Sequence, residues 1–209
     1  MISSELRDSR RVTITKDAIK DGMLSLLKKM PFKNVSVSGL CREAAVGRAT
    51  FYTHYTGLMD VIDELADEAI RAVGDESIDN ITRVDLLMEK MGNIENAADL
   101  EKHIALLPLC QRVAHSPKYN VLFHDDEISE YIIRRIYRQE KEHTIPVLVR
   151  RFGLTEDQAD KLFLFGVMGA FAVNRAMGWK KDDSWYSVQK LLLTYVHGGY
   201  EAIREMPKL

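Results

Sequence analysis

The 209 residues carry 29 Lys/Arg and 31 Asp/Glu, a formal charge of −2, and 46% hydrophobic residues. That length admits one large domain or two modest ones, and five prolines and twelve glycines argue against a loop-rich β protein. Cys41 and Cys110 are too few for a disulfide scaffold, no apolar run approaches a membrane span, and Met1–Arg11 has no apolar leader, so two reduced thiols in a cytoplasmic protein are expected.

Taken in chain order, Met1–Val12 is polar and charged and reads as a mobile arm. Arg10 and Arg11 stand at its end, either to meet a nucleic-acid backbone or as part of a disordered basic tag. Thr15–Met30 predicts a first helix, capped by Thr15, striped by Ile19, Met23, Leu26 and Leu27, and stopped at Pro31. After a turn at Lys33 and Asn34, Ser36 caps a second helix over Val37–Ala44. Its hydroxyl and the free amides there, with Ser38 beside them, suit a phosphate.

Ser36–Tyr55 organises the rest. Leu40, Ala44 and Val46 give its first helical pattern an apolar side, Phe51 and Tyr55 give the second one, and Gly47 sits at the junction, where a small residue allows a steep crossing. This is helix-turn-helix spacing, whose second helix enters a DNA major groove; a plain helical hairpin with a solvated face fits the same spacing. At about 100° per residue, Phe51 and Tyr55 turn inward while Ala49, Thr50 and Thr53 turn outward, flanked by Tyr52 and His54. The outward set contains no acid to repel phosphate. Residues 1–56 hold ten Lys/Arg against five Asp/Glu, a basic head on an acidic remainder, which is the footprint of a DNA-binding domain joined to another.

Leu58–Val73 predicts a helix striped by Leu58, Ile62, Leu65, Ala69 and Val73, ending at Gly74 before an acidic stretch. Helical segments then follow at Ile81–Met91 and at Ala97–Ala114, the latter bent by Pro108. A loop over His115–Asp125 leads to a long run, Asp126–Phe152, kinked at Pro146 and closed by Gly153. Thr155-Glu156-Asp157-Gln158 has the form of a capping box opening a helix to about Trp179, and a last helix covers Ser184–Met206. Both are apolar on more than one side. Phe163, Gly166, Ala170, Trp185, Leu192 and Tyr195 are the candidates for burial against a second copy in a four-helix arrangement; central helices of a monomer would show the same pattern.

Ala45-Val46-Gly47-Arg48-Ala49-Thr50-Phe51-Tyr52-Thr53-His54-Tyr55 resembles the A-G-V-S-x-G-T-x-Y-x-H-F pattern of TetR-type transcriptional regulators, at the family's place near the N-terminus. The match is specific over about the first 70 residues and loose beyond them. Ala45 replaces the family's usual Gly, Gly47 its usual Ser cap, and Leu58 a Lys that often reaches phosphate. The resemblance implies an all-α fold, with a DNA-binding helix-turn-helix domain over 1–57, a connecting helix over 58–74 and an effector-binding and dimerisation domain over 75–209. Ser36, Ser38, Arg48, Ala49, Thr50, Tyr52, Thr53 and His54 would then meet DNA. It also implies an effector cavity, for which Met88, Met91, Cys110, Tyr119, Phe123, Tyr131, Met168 and Asn174 are the adaptable or amphipathic candidates.

No nucleophile elbow, P-loop or acid pair is present, and His115, His124, Asp125 and Asp126 are irregularly spaced for a metal, so no catalytic residue, cofactor or metal is expected. The expectation is a ligand-responsive repressor that binds a palindromic operator as a homodimer. Two rivals remain: the same scaffold acting on a protein partner, favoured by Leu58, and an all-helical enzyme.

Overall fold

The computed structural model describes residues 2–74, 79–90 and 93–206. It is all-helical: α1 Ile2–Leu27, α2 Val37–Glu43, α3 Arg48–His54, α4 Leu58–Val73, α5 Asn80–Lys90, α6 Ala97–Glu101, α7 Leu109–His115, α8 Asp126–Phe152, α9 Glu156–Ala176 and α10 Asp183–Glu205. Among the described residues there is no strand, and no helix is long and apolar enough to cross a membrane. Two compact units result. One comprises the chain up to Ala72 with Ser116–Ser129; the other comprises Val73–His115 with the chain from Glu130 onward.

In the first unit, α1 begins thirteen residues earlier than its sequence stripe suggests. Ile2–Asp21 contains neither Gly nor Pro, so nothing stops the helix. Thr15 is therefore an interior residue rather than a cap, its Oγ1 donating to Arg11 O at 2.9 Å. Arg10 and Arg11 lie exposed on this helix, not on an arm. The expected stripe of Ile19, Met23, Leu26 and Leu27 is buried. Gly22 marks a close approach to α2: a Cβ there would stand 3.1 Å from Ala44 Cβ. Ser25 of α1 and Lys29, just beyond it, both donate to Glu43 Oε1, at 2.6 and 2.7 Å.

The turn between α2 and α3 reverses the roles expected of its small residues. Val46 N donates to Cys41 O at 3.0 Å and Ala45 N to Arg42 O at 3.3 Å, a Schellman closure of α2. Ala45 carries the left-handed conformation this closure requires, with φ at 52°. Gly47 has φ at −73°, and an added Cβ would meet only Thr50 Oγ1 at 3.7 Å, so no feature of the turn demands glycine there.

In the second unit the expected helix over Ala97–Ala114 is broken rather than bent. Proline disfavours helical backbone in the preceding residue, and Leu107 is extended at φ −70°, ψ 155°. Pro108 O instead accepts from Gln111 N and Arg112 N at 2.9 and 3.1 Å, which starts α7. α8 runs through Pro146 without a break in helical backbone. Thr155 and Gln158 form the full capping box, while α10 starts at Asp183, one residue before its expected Ser184, and is capped by Asp182. Leu87, Leu100, Leu107, Trp185 and Leu193 form one core cluster, and Ile81, Leu148, Ala159 and Phe163 another.

Candidate nucleic-acid interface and cavity

Two turns of helix fix what α3 shows to solvent. Phe51 is 0% exposed and Tyr55, directly after the helix, is 4% exposed, their ring centroids 5.7 Å apart. The opposite side leaves Arg48, Ala49, Thr50 and Thr53 exposed, with Tyr52 at 51% and its ring set edge-on to Phe51. His54 is half-buried. Thr53 Oγ1 donates to Ala49 O at 3.0 Å, so its hydroxyl proton is committed to the backbone. Ser36 Oγ accepts from Gly39 N at 3.1 Å and caps α2 as its position suggests; Ser36 is exposed and Ser38 half-buried.

An ionic cluster ties the end of α3 to α1 and α4. Tyr55 Oη donates to Glu64 Oε2 at 2.8 Å, and Lys16 Nζ meets the same oxygen at 3.1 Å while lying 5.3 Å over the Tyr55 ring. Lys20, its side chain nearly buried, is paired with Asp17 at 3.0 Å, Glu64 at 3.6 Å and closely with Glu68. Burial raises the Glu64 carboxyl, but hydrogen bonds from Tyr55 and Lys16 outweigh it and hold the group below the usual carboxylate range. Burial likewise lowers Lys20, yet its bonds to Glu68 and Asp17 prevail and hold it above the ordinary lysine value. The start of α4 is fixed by Asp60, whose Oδ2 accepts from Thr56 Oγ1 and Thr56 N, both at 2.6 Å; Leu58, in the first turn, is half-buried.

The second unit holds a cavity of about 120 Å³. Its wall is mostly apolar, from residues such as Ile81, Leu109, Ile136, Phe163 and Val196. Five polar side chains join it: Arg83, Glu140, Gln111, Gln189 and the phenol of Tyr200. Arg83 Nη1 donates to Ala105 O at 2.7 Å. Cys110, also on the wall, has its thiol pushed up to about 12 by burial, so it is uncharged at neutral pH. Behind the wall, Trp185 Nε1 donates to Asn174 Oδ1 at 2.8 Å and Asn174 Nδ2 to Ala170 O at 2.8 Å. Gln189 Nε2 donates to the same Asn174 oxygen at 3.4 Å, and Gln111 Nε2 to Gln189 Oε1 at 2.9 Å.

Of the eight sequence candidates for a cavity, Cys110 lies on this wall and Asn174 one hydrogen bond behind it. Tyr119 and Phe123 belong to the first unit, Tyr131 and Met168 are not among the lining residues, and Met91 and the Met88 side chain lie outside the described residues. Gln111 and Gln189 were missed. The available signal was a glutamine four residues after Trp185 on the same inward face of the last helix. The candidate interface residues separate by rotation. Phe163 and Trp185 are buried within the unit, Gly166, Ala170 and Leu192 line the cavity, and Tyr195 is exposed, as are Phe165 and Leu191. Among the described residues no three His, Cys, Asp or Glu side chains come together to hold a metal. No protein-family model matches the chain, and no curated protein gives a significant match to it.

Proposed function

We propose that the chain is a ligand-responsive transcriptional regulator, a repressor that binds a near-palindromic DNA operator as a homodimer through an N-terminal helix-turn-helix. The observation that carries this is the rotation of α3, with Phe51 and Tyr55 inward and Arg48, Ala49, Thr50, Tyr52 and Thr53 outward. In this reading α3 enters the major groove. Arg48, Ser36 and Ser38 hold the backbone, Thr50, Tyr52 and His54 donate to phosphate or base, and Ala49 and Thr53 lie nearest the base edges. With its proton committed to Ala49 O, Thr53 offers a methyl group and lone pairs, suited to a thymine methyl or a base amino group.

Phe165, Leu191 and Tyr195, exposed large apolar residues of α9 and α10, are the surface assigned to the partner subunit. Half-sites one helical turn apart require recognition helices spaced by roughly 34 Å. For the response to ligand, α7 supplies the link. It carries Gln111 on the cavity wall and, next to it, Arg112, whose Nη1 donates to Val73 O, the last residue of α4, at 2.5 Å. A ligand that shifts α7 turns α4, and a coupling of about 1–3 kcal/mol weakens DNA binding by about 5- to 150-fold.

An anisotropy titration with DNA from the region upstream of the protein's own gene, at fixed salt, tests the reading. Affinity no greater than for random DNA refutes it. Leu58 at the usual phosphate-lysine position and the exposed Tyr52 ring favour a second reading, in which the same face meets a protein. Flat DNA titrations together with a stoichiometric protein partner would select it.

A further inference from the structure

The amides behind the cavity form a chain whose polarity is set at one end. Trp185 Nε1–H can only donate and Ala170 O can only accept, so the Asn174 amide has one possible orientation between them. Its oxygen then requires an N–H from Gln189, which turns the Gln189 oxygen toward Gln111, which must in turn donate its own N–H. The direction of every bond follows from the indole. What is left at the far end is Gln111 Oε1, a buried acceptor with no hydrogen-bond partner among the described residues, on a side chain of the cavity wall that is 2% exposed overall. Such an acceptor is costly to leave unmet.

We infer that the cavity binds a small uncharged molecule of about one ring, apolar except for a single hydroxyl or N–H that donates to Gln111 Oε1. Size follows from the volume, about 120 Å³, against the roughly 150 Å³ of a cavity known to take benzene. Neutrality follows from the wall, where Arg83 and Glu140 carry opposite charges and Cys110 stays a thiol. The donor follows from the amide chain, which leaves Gln111 Oε1 as its one buried oxygen without a partner among the described residues, while Gln111 Nε2 is already engaged through one N–H by Gln189. This inference rests on the proposed function only in treating the cavity as the effector site.

The test uses the full chain and ligand-observed NMR titrations with phenol, toluene and benzoate. Phenol and toluene have equal numbers of heavy atoms, and toluene leaves water more readily, so phenol binding at least as tightly as toluene is the expected result for the native protein. Gln111→Met removes the acceptor, although it frees Gln189 Oε1 on the same wall to replace it. The pair Gln111→Met/Gln189→Met removes both. In the pair the phenol-to-toluene affinity ratio falls about threefold to tenfold. Toluene binding more tightly than phenol, tighter binding of benzoate, or an unchanged ratio in the pair overturns the inference. If the pair does not fold, as judged by circular dichroism, the ordering in the native protein decides. DNA titrations of the same preparations are scored separately. Phenol selectivity without operator binding therefore removes the regulator reading alone, and operator binding without selectivity removes this one alone.

Discussion

Ala45 and Gly47 are the two residues whose exchange the turn geometry most directly favours. Ala45 holds φ at 52°, where an L side chain costs roughly 1–2 kcal/mol from its Cβ against the following carbonyl. Ala45→Gly removes that cost and returns about 0.4–1 kcal/mol of it through the looser unfolded chain, a net gain of up to about 1 kcal/mol. Gly47 is the N-cap of α3 with extended backbone and no side-chain cap, and a Cβ there has ordinary contacts. Gly47→Ser adds a cap worth a few tenths of a kcal/mol over glycine and stiffens the unfolded chain, about 0.5–1 kcal/mol together. The double variant is expected to gain about 0.5–2 kcal/mol, or about 1–8 °C in melting temperature for a chain of this size. Urea denaturation followed by circular dichroism measures it. A double variant less stable than the native chain refutes the assignment of Ala45, rather than Gly47, as the left-handed residue. The Gly47→Ser change also adds a hydroxyl at the start of α3, so tighter DNA binding should accompany the stability gain if that terminus meets phosphate.

Tyr55→Phe removes one of the hydrogen bonds that hold Glu64 ionised and should cost about 1.5–3 kcal/mol at neutral pH, read by the same denaturation assay. A carboxyl whose folded pKa is depressed contributes stability above its unfolded value, 4.5 for Glu64, and loses it as pH falls through the folded pKa. The acid limb of the stability curve should therefore steepen below about pH 4.5 in the native chain and flatten in Glu64→Gln. Lys181 is lowered to about 8, burial outweighing Glu101, and its Nζ has no hydrogen-bond partner among the described residues, lying instead 5.5 Å over the Trp185 ring. Its folded form sheds a proton that the unfolded form keeps, so stability rises between about pH 8 and 10.5, and Lys181→Met should abolish that rise in melts across the range. Arg112→Met should leave cavity ligands bound with unchanged affinity while reducing their effect on operator affinity to less than about threefold, measured by anisotropy with and without ligand.

Much of the helical architecture was legible because hydrophobic period and stop residues report it directly. α4 matches its expected limits, and the Thr155 capping box is present in full. The failures come from terms that period does not contain. From sequence Pro108 bends a helix over Ala97–Ala114, yet the proline acts on Leu107, whose extended backbone ends the preceding helical turn. The early start of α1 went unseen because Ile2–Val12 has no apolar stripe; with no breaker present, propensity carries the helix on. The outward face of α3 needed only a 100° step and two aromatic anchors.

Inside the second unit the same arithmetic was insufficient, and the reason is physical. Rotation assigns a residue to the inside of its helix but does not distinguish a core contact, a cavity wall and a hydrogen-bond relay. Phe163, Gly166 and Trp185 are all inward, and only their neighbours on other helices separate them. The amide chain joins Gln111 of α7 to Gln189 of α10, 78 residues apart, and through it to Asn174 of α9. No local pattern encodes which end of that chain keeps the unspent acceptor; the Trp185 indole does, because it alone among these groups cannot accept. An obligate donor and an obligate acceptor at one end thus determine the chemistry offered at the other. Trp185→Phe should accordingly leave Asn174 oriented by Ala170 O alone and weaken the cavity's preference for a donor, without altering any residue on its wall.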